Sequence, residues 1–303
     1  MRRQLVKLLS DAVCEINNEQ QLSLQIDVIF GEWCVIIHDD KRKVKIFGYS
    51  FDINDSVACS ICRDKAICSE VLKNNRISSV YHKAFFRHDC FTELSDYCHD
   101  IGYPVVVKQN DGGTGNNILY TGDYGSLKTN VDKIFSQYNI LSISRYEEIE
   151  DEYRFLMINN NLELCYKKIR QHVVGDGFST VKDLLVATNI TPTVDLDSYY
   201  IPSVNEVVIT NWQHNLSKGA VPEVVEDIDE DMLSLAIKTT QALDLKAGCV
   251  DIIVTKQKQK KVLEVNSGIM MDNFSQCRKT DYDYYNIAKK IYKKILLESL
   301  KIY

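Results

Sequence analysis

The chain has 303 residues, of which 45% are hydrophobic and 26% charged, and its formal net charge is −6. That length supports two or three packed lobes with a sizeable core, and the composition suits a globular enzyme rather than a disordered or fibrous chain. The acidic balance argues against a nucleic-acid scaffold, which carries a basic stripe, but not against a nucleotide ligand, because local basic patches still bind phosphate.

In chain order, residues 1–18 read as an amphipathic helix. Leu5, Leu8, Leu9 and Val13 fall at helical spacing, and Asp11 and Glu15 interrupt any signal-like apolar run. No stretch approaches the ~18 apolar residues of a membrane span, so a cytoplasmic protein is expected. Residues 22–30, 32–38 and 43–49 read as strands. Residues 56–74 have helical periodicity, and 91–100 form a second helix stopped by Gly102. A β-rich run, 103–108, leads into a glycine loop with a returning strand at 117–121. Strands at 138–143 and 153–158 flank an acidic segment, and 162–169 is a further strand. A helix at 179–187, a short strand at 207–210 and a helix at 229–243 precede the strands 248–254 and 261–265. The last helix spans about 282–299. This order predicts an α+β fold in which each lobe has an antiparallel sheet.

The ten cysteines are scattered and read as reduced core thiols. Cys59 and Cys62 form a C-x-x-C, but no second pair stands at metal-site spacing, so packing outweighs zinc or redox chemistry. His82, His88 and His99 read as surface or satisfied core histidines.

Three segments point to chemistry. In YPVVVKQNDGGTGNN (103–117) a buried strand delivers Lys108 to a turn rich in glycine. Glycine lets backbone N–H groups approach phosphate oxygens, and the lysine adds positive charge. No Gly-Lys-Ser/Thr follows, so it is not a Walker loop, and a plain hairpin turn accounts for it equally well. In DIIVTKQKQKKVLEVN (251–266), Glu264 and Asn266 are two apart and share a face, with Asp251 beside them across a hairpin. Two carboxylates and an amide oxygen suit Mg²⁺, and the apolar Val262, Leu263 and Val265 around them favour a site over an exposed sheet face. The acidic run Glu147–Glu152 reads as a solvated loop, or as a hinge presenting backbone groups to adenine and one carboxylate to ribose hydroxyls.

In this order the segments resemble the ATP-grasp superfamily over roughly residues 56–275, and most closely the branch of cyanophycin synthetase, bifunctional glutathione synthetase and the ribosomal-protein glutamate ligase. KKIRQHVVGDGFSTVKDLL (167–185) is similar to that branch's strand, V-x-GDG-x-x-T turn and helix. HNLSKGA (214–220) is similar to its N-L-S-x-G-G segment, with Ala220 in place of the second glycine, and VLEVNSG (262–268) to its E-V-N metal motif. The resemblance implies two α+β lobes with antiparallel sheets sandwiching ATP (56–145 and 146–303), preceded by a shortened N-terminal α/β region (1–55). It implies a carboxylate–amine ligase working through an acyl phosphate, with ATP and two Mg²⁺ ions (Mn²⁺ as a substitute). The partners implied are a small-molecule acid and amine, with no nucleic acid and no membrane, and a homodimer is left open.

Carried over by position, Lys65 and Lys108 are the phosphate lysines, and Asp111, Gly112, Gly113, Thr114 and Gly115 the lid over the phosphates. Glu147, Glu148, Ile149 and Glu150 form the adenine hinge, with Glu152 or Glu150 on the ribose and Lys168 on phosphate. Asp251, Glu264 and Asn266 are the metal ligands. Asn215 is assigned to catalysis with Lys108 and Lys168, and Ser217, Gly219, Ser267 and Gly268 to the substrate side. Cys249 stands where the D-alanine ligases of the superfamily carry an arginine that steadies the tetrahedral intermediate. Arg154, Arg170 and His214 are the candidates to replace it, the last two also facing substrate. Only 64 residues precede Lys65, fewer than family members carry there, so the acceptor is not inherited by analogy. A carboxylate–thiol ligase, a kinase and a degenerate nucleotide-binding protein are the competing readings.

Overall fold

The computed structural model describes residues 3–113, 117–278 and 281–302. Helix α1 (Leu5–Gln20) turns Leu5, Leu8, Leu9, Ala12, Val13 and Ile16 inward, the stripe its spacing predicts. It is followed by an antiparallel meander of β1 (Gln25–Ile29), β2 (Cys34–His38), β3 (Lys43–Phe47) and the short β4 (Ser50–Phe51). In β3 Val44 and Ile46 face the core while the lysines between them face water.

The stretch expected as one helix is two, α2 (Ser56–Arg63) and α3 (Lys65–Asn74). Asp64 lies between them in extended conformation, and its carboxylate accepts from Ile67 N to cap α3. That break sets Lys65 at the first position of α3. The next unit comprises β5 (Lys83–Phe86), α4 (Phe91–Ile101), β6 (Val105–Gln109), β7 (Ile118–Thr121), α5 (Tyr124–Phe135) and β8 (Ile140–Arg145). Its sheet runs β5-β8-β6-β7 and is antiparallel throughout. Val105 and Val107 turn one face of β6 to the core beneath α4 and α5, and alternation leaves Lys108 on the other face.

The third unit holds β9 (Ile149–Ile158), β10 (Asn161–Ile169), β11 (His172–Val174), α6 (Val181–Thr188), β12 (Val207–Ile209), β13 (Val221–Val224), α7 (Glu230–Ala242), β14 (Ala247–Thr255), β15 (Lys260–Asn266), α8 (Asp272–Ser275) and α9 (Tyr284–Leu300). The acidic segment expected between two strands is largely the start of β9, because backbone pairing with β14 continues to the Thr255–Ile149 pair. A five-stranded antiparallel sheet follows the order β13-β10-β9-β14-β15. One face, with Phe155, Met157, Val250, Ile252 and Val265, packs on α3 and α7. On the other face Leu156, Ile158, Tyr166 and Cys249 share a core with α1, the meander and α9. All ten cysteines are unpaired. Among the described residues no helix is long and apolar enough to cross a membrane.

Candidate active site

The second face of the five-stranded sheet is apolar at one end and charged at the other. Residues two apart on a strand share a face, so β9 contributes Glu152 and Arg154, β10 Lys168, β14 Asp251, and β15 Glu264 and Asn266. Register puts Asp251 opposite Arg154 on one side and Glu264 on the other. Arg154 donates through Nε and Nη2 to the two oxygens of Asp251, both at 2.7 Å. Lys168 Nζ lies 2.5 Å from Glu152 and 2.9 Å from Asp251. Two cations and two anions thus form a closed quartet in which Glu152, Lys168 and Asp251 are buried and Arg154 is partly exposed.

Their titration follows from that closure. Burial pushes the Asp251 carboxyl upward, but Arg154 and Lys168 outweigh it and hold it down at about 2. For Glu152 burial wins over Lys168 and the shift is upward. Burial disfavours the Lys168 cation, yet Asp251 and Glu152 more than offset this and raise it.

Lys108 reaches the same region from strand β6, and among the described residues no carboxylate forms an ion pair with it. Burial brings its ammonium down to about 8, with Glu264 partly opposing this, Lys65 adding to it and Glu152 opposing it more weakly. Lys65 Nζ lies 3.6 Å from Glu264 and donates to the carbonyls of Asn110 and Gly112. It therefore ties α3 to the start of the glycine loop and to the metal-motif strand. Asn110 was not foreseen. It is buried, and its side-chain oxygen accepts from Ala66 N, so it clamps the loop to α3.

The remaining predicted residues divide clearly. Gly112 meets Lys65, whereas Asp111 is exposed and accepts from Gln109. Gly113 is exposed too, and Thr114 and Gly115 lie outside the described residues. Glu147, Glu148 and Glu150, flanking Ile149, pair with Lys261, Lys256 and Lys258 of the neighbouring hairpin. The basic run K-Q-K-Q-K-K, equal in reach to the acidic run, was the signal for that pairing. Asn215 spends its side-chain oxygen on Ser217 N and Oγ, capping a single turn at Leu216–Lys218. Gly219 is left-handed with φ +94, and a Cβ there would strike Gln171. Ser267 and Gly268 lie against the N-terminal region, through Asn54 and Tyr49–Ser50 respectively. His214 is buried beside Lys168, and burial lowers its ring to about 4. A neutral ring does not supply the positive charge sought in place of the steadying arginine, and that expectation is corrected. His82, expected at the surface or as a satisfied core residue, is buried, and burial together with Lys108 and Lys65 keeps it neutral.

The donor set can be tested for Mg²⁺. Glu264 is partly open, meeting Lys65 only at 3.6 Å, and Asn266 follows on the same face, so oxygen donors stand where a hard cation is suited. Asp251 fits only by giving up a contact with Arg154 or Lys168, since both its oxygens are engaged.

The RimK-like ATP-grasp domain matches residues 205–295. The bifunctional glutathione biosynthesis protein GshAB of Listeria welshimeri is 26% identical over 79% of this chain and 34% of its own length. Cyanophycin synthetase of a Synechocystis species is 26% identical over 60% of this chain and 24% of its own. The chain thus spans about a third or less of these relatives. The crystal structure of a bifunctional glutathione synthetase from Pasteurella multocida superposes with a TM-score of 0.59 at 15% identity, covering 95% of this chain and 44% of that one.

Proposed function

We propose, from the premise that this chain has an ATP-grasp fold with a RimK-like segment, that it is an ATP-dependent carboxylate–amine ligase forming an amide through an acyl phosphate. The observation that carries the reading is the meeting of Lys65 and Lys108 with Glu264, Lys168 and Asp251. These groups come from distant parts of the sequence and meet between two antiparallel sheets. The relatives named glutathione and cyanophycin synthetases support amide formation as the reaction class.

The acid's carboxylate attacks the γ-phosphorus of ATP, and this step brings like charges together. Lys108 and Lys65 stabilise the phosphate oxygens, and low solvent access strengthens that attraction. Glu264 and Asn266 would hold Mg²⁺, with Asp251 joining by exchange, and the ion would supply charge neutralisation at the phosphates. Hinge residues Glu147–Glu150 take the adenine side and Arg170 anchors the acid. Arg154, paired to Asp251 and acting on the Cys249 thiol, stands in for the missing arginine.

The test is a phosphate-release screen of acids against amines with Mg²⁺ and ATP. ADP, phosphate and an amide should appear together for at least one pair. Glu264→Ala should lose about 100-fold or more of that turnover. Turnover unchanged in that variant defeats the site, and ADP release that never requires an amine defeats the ligase reading.

A further inference from the structure

His214 is held in one protonation pattern by the strand beside it. The β9–β10 ladder ends at the Tyr153–Lys167 pair. The next carbonyl, that of Lys168, lies 2.9 Å from His214 Nδ1. A carbonyl oxygen only accepts, so Nδ1 of the neutral ring carries the hydrogen. Nε2 is therefore a bare lone pair, and it is buried with no hydrogen-bond partner among the described residues. Leaving such an acceptor unpaired costs about 1–3 kcal/mol. The residue follows strand β12 and immediately precedes the Asn215–Gly219 turn. Its neighbours are Lys168, Arg170 and Asp151.

We propose that His214 Nε2 is the hydrogen-bond acceptor for the attacking amine, holding one N–H so that the nitrogen lone pair faces the acyl phosphate. This rests on the ligase reading and names the side chain that meets the amine. The chemistry selects among ligands. A carboxylate at neutral pH has no hydrogen to offer and is drawn to Arg170 instead. A thiol is a weak donor, whereas an uncharged primary or secondary amine donates well and avoids repulsion from the two cations. In the step itself the nitrogen forms the C–N bond and the C–O bond to phosphate breaks with its electron pair leaving on phosphate. The proton lost from nitrogen goes to that phosphate. His214 orients the nitrogen and takes no proton. Nε2 is buried, so the amine reaches it only as the side chains around it give way.

The experiment uses the full chain with ¹⁵N-labelled histidine, Mg²⁺ and a non-hydrolysable ATP analogue, titrated with the amides of the twenty amino acids. At least one should move the Nε2 resonance of His214 in the direction of a hydrogen-bonded acceptor, and its quaternary trimethylammonium analogue should not. In the phosphate-release assay His214→Phe should raise the amine KM about ten-fold and leave the KM for ATP unchanged. His214→Gln should recover part of the loss. An Nε2 resonance unmoved by every amide, or equal amine KM values in parent and His214→Phe, overturns the proposal. If the nucleotide analogue binds but no acid–amine pair releases ADP, the ligase reading fails, and the resonance titration still decides the role of His214.

Discussion

Two buried lysines on different sheets, Lys108 and Lys168, are pushed in opposite directions by their surroundings. Lys168 has Glu152 and Asp251 in direct contact and is raised, whereas Lys108 has no carboxylate ion pair among the described residues and falls to about 8. Both positions were predicted to meet phosphate. The contrast teaches that one cation is already neutralised by the protein, while the other is stored at a cost that a phosphate would relieve. Lys168 acts as the clasp of the sheet face, and Lys108 as its available charge.

The largest expected effect breaks the clasp. Lys168→Met leaves Glu152 and Asp251 buried against Arg154 alone, and should lower the unfolding free energy by about 3–5 kcal/mol in denaturant melts. Lys108→Met should do the reverse in stability, because it removes an unpaired buried cation, and should leave the protein equal or more stable. Its phosphate release should fall about 100- to 1,000-fold, or about 2.7–4 kcal/mol. Equal melting losses in the two variants would erase the distinction between them. The smallest effect sharpens it. A lysine whose folded pKa lies below its unfolded value is penalised while charged, so the unfolded chain binds more protons between about 8 and the ordinary lysine value. Stability should therefore rise with pH across that window in the parent and stay flat in Lys108→Met. MgATP affinity, measured calorimetrically, should fall as pH rises through about 8, up to ten-fold per unit. Lys108→Arg should abolish that fall.

Much of this site was legible because strands alternate. Lys108 after a valine run, the Lys168 strand and the Asp251–Glu264 hairpin announce their faces through period two, and β14 and β15 pair with Asp251 opposite Glu264. The partners of those charges were not legible. Arg154 stands directly opposite Asp251 because of a register between segments a hundred residues apart, and no local pattern encodes it. The break at Asp64 was hidden for a different reason, since apolar periodicity continues through it and only the cap reveals it. Helix α5 was passed over although Leu127, Val131 and Ile134 sit at helical spacing, because Gly125, Thr129 and Asn130 lower its propensity. The N-terminal region looked separable in sequence, yet its core includes Tyr292, Ile295 and Leu296 of α9.

That interlock has a consequence for the order in which the protein is made. Helix α1 leaves the ribosome with an apolar stripe whose cover, α9, is synthesised only after the strands of both lysine-bearing sheets. The glycine-loop sheet has a core of its own and can fold while translation continues. The apolar end of that sheet face closes only when α1 and α9 meet, so a nascent chain stalled before α9 carries Lys65, Lys108 and Lys168 while the core behind them is still open.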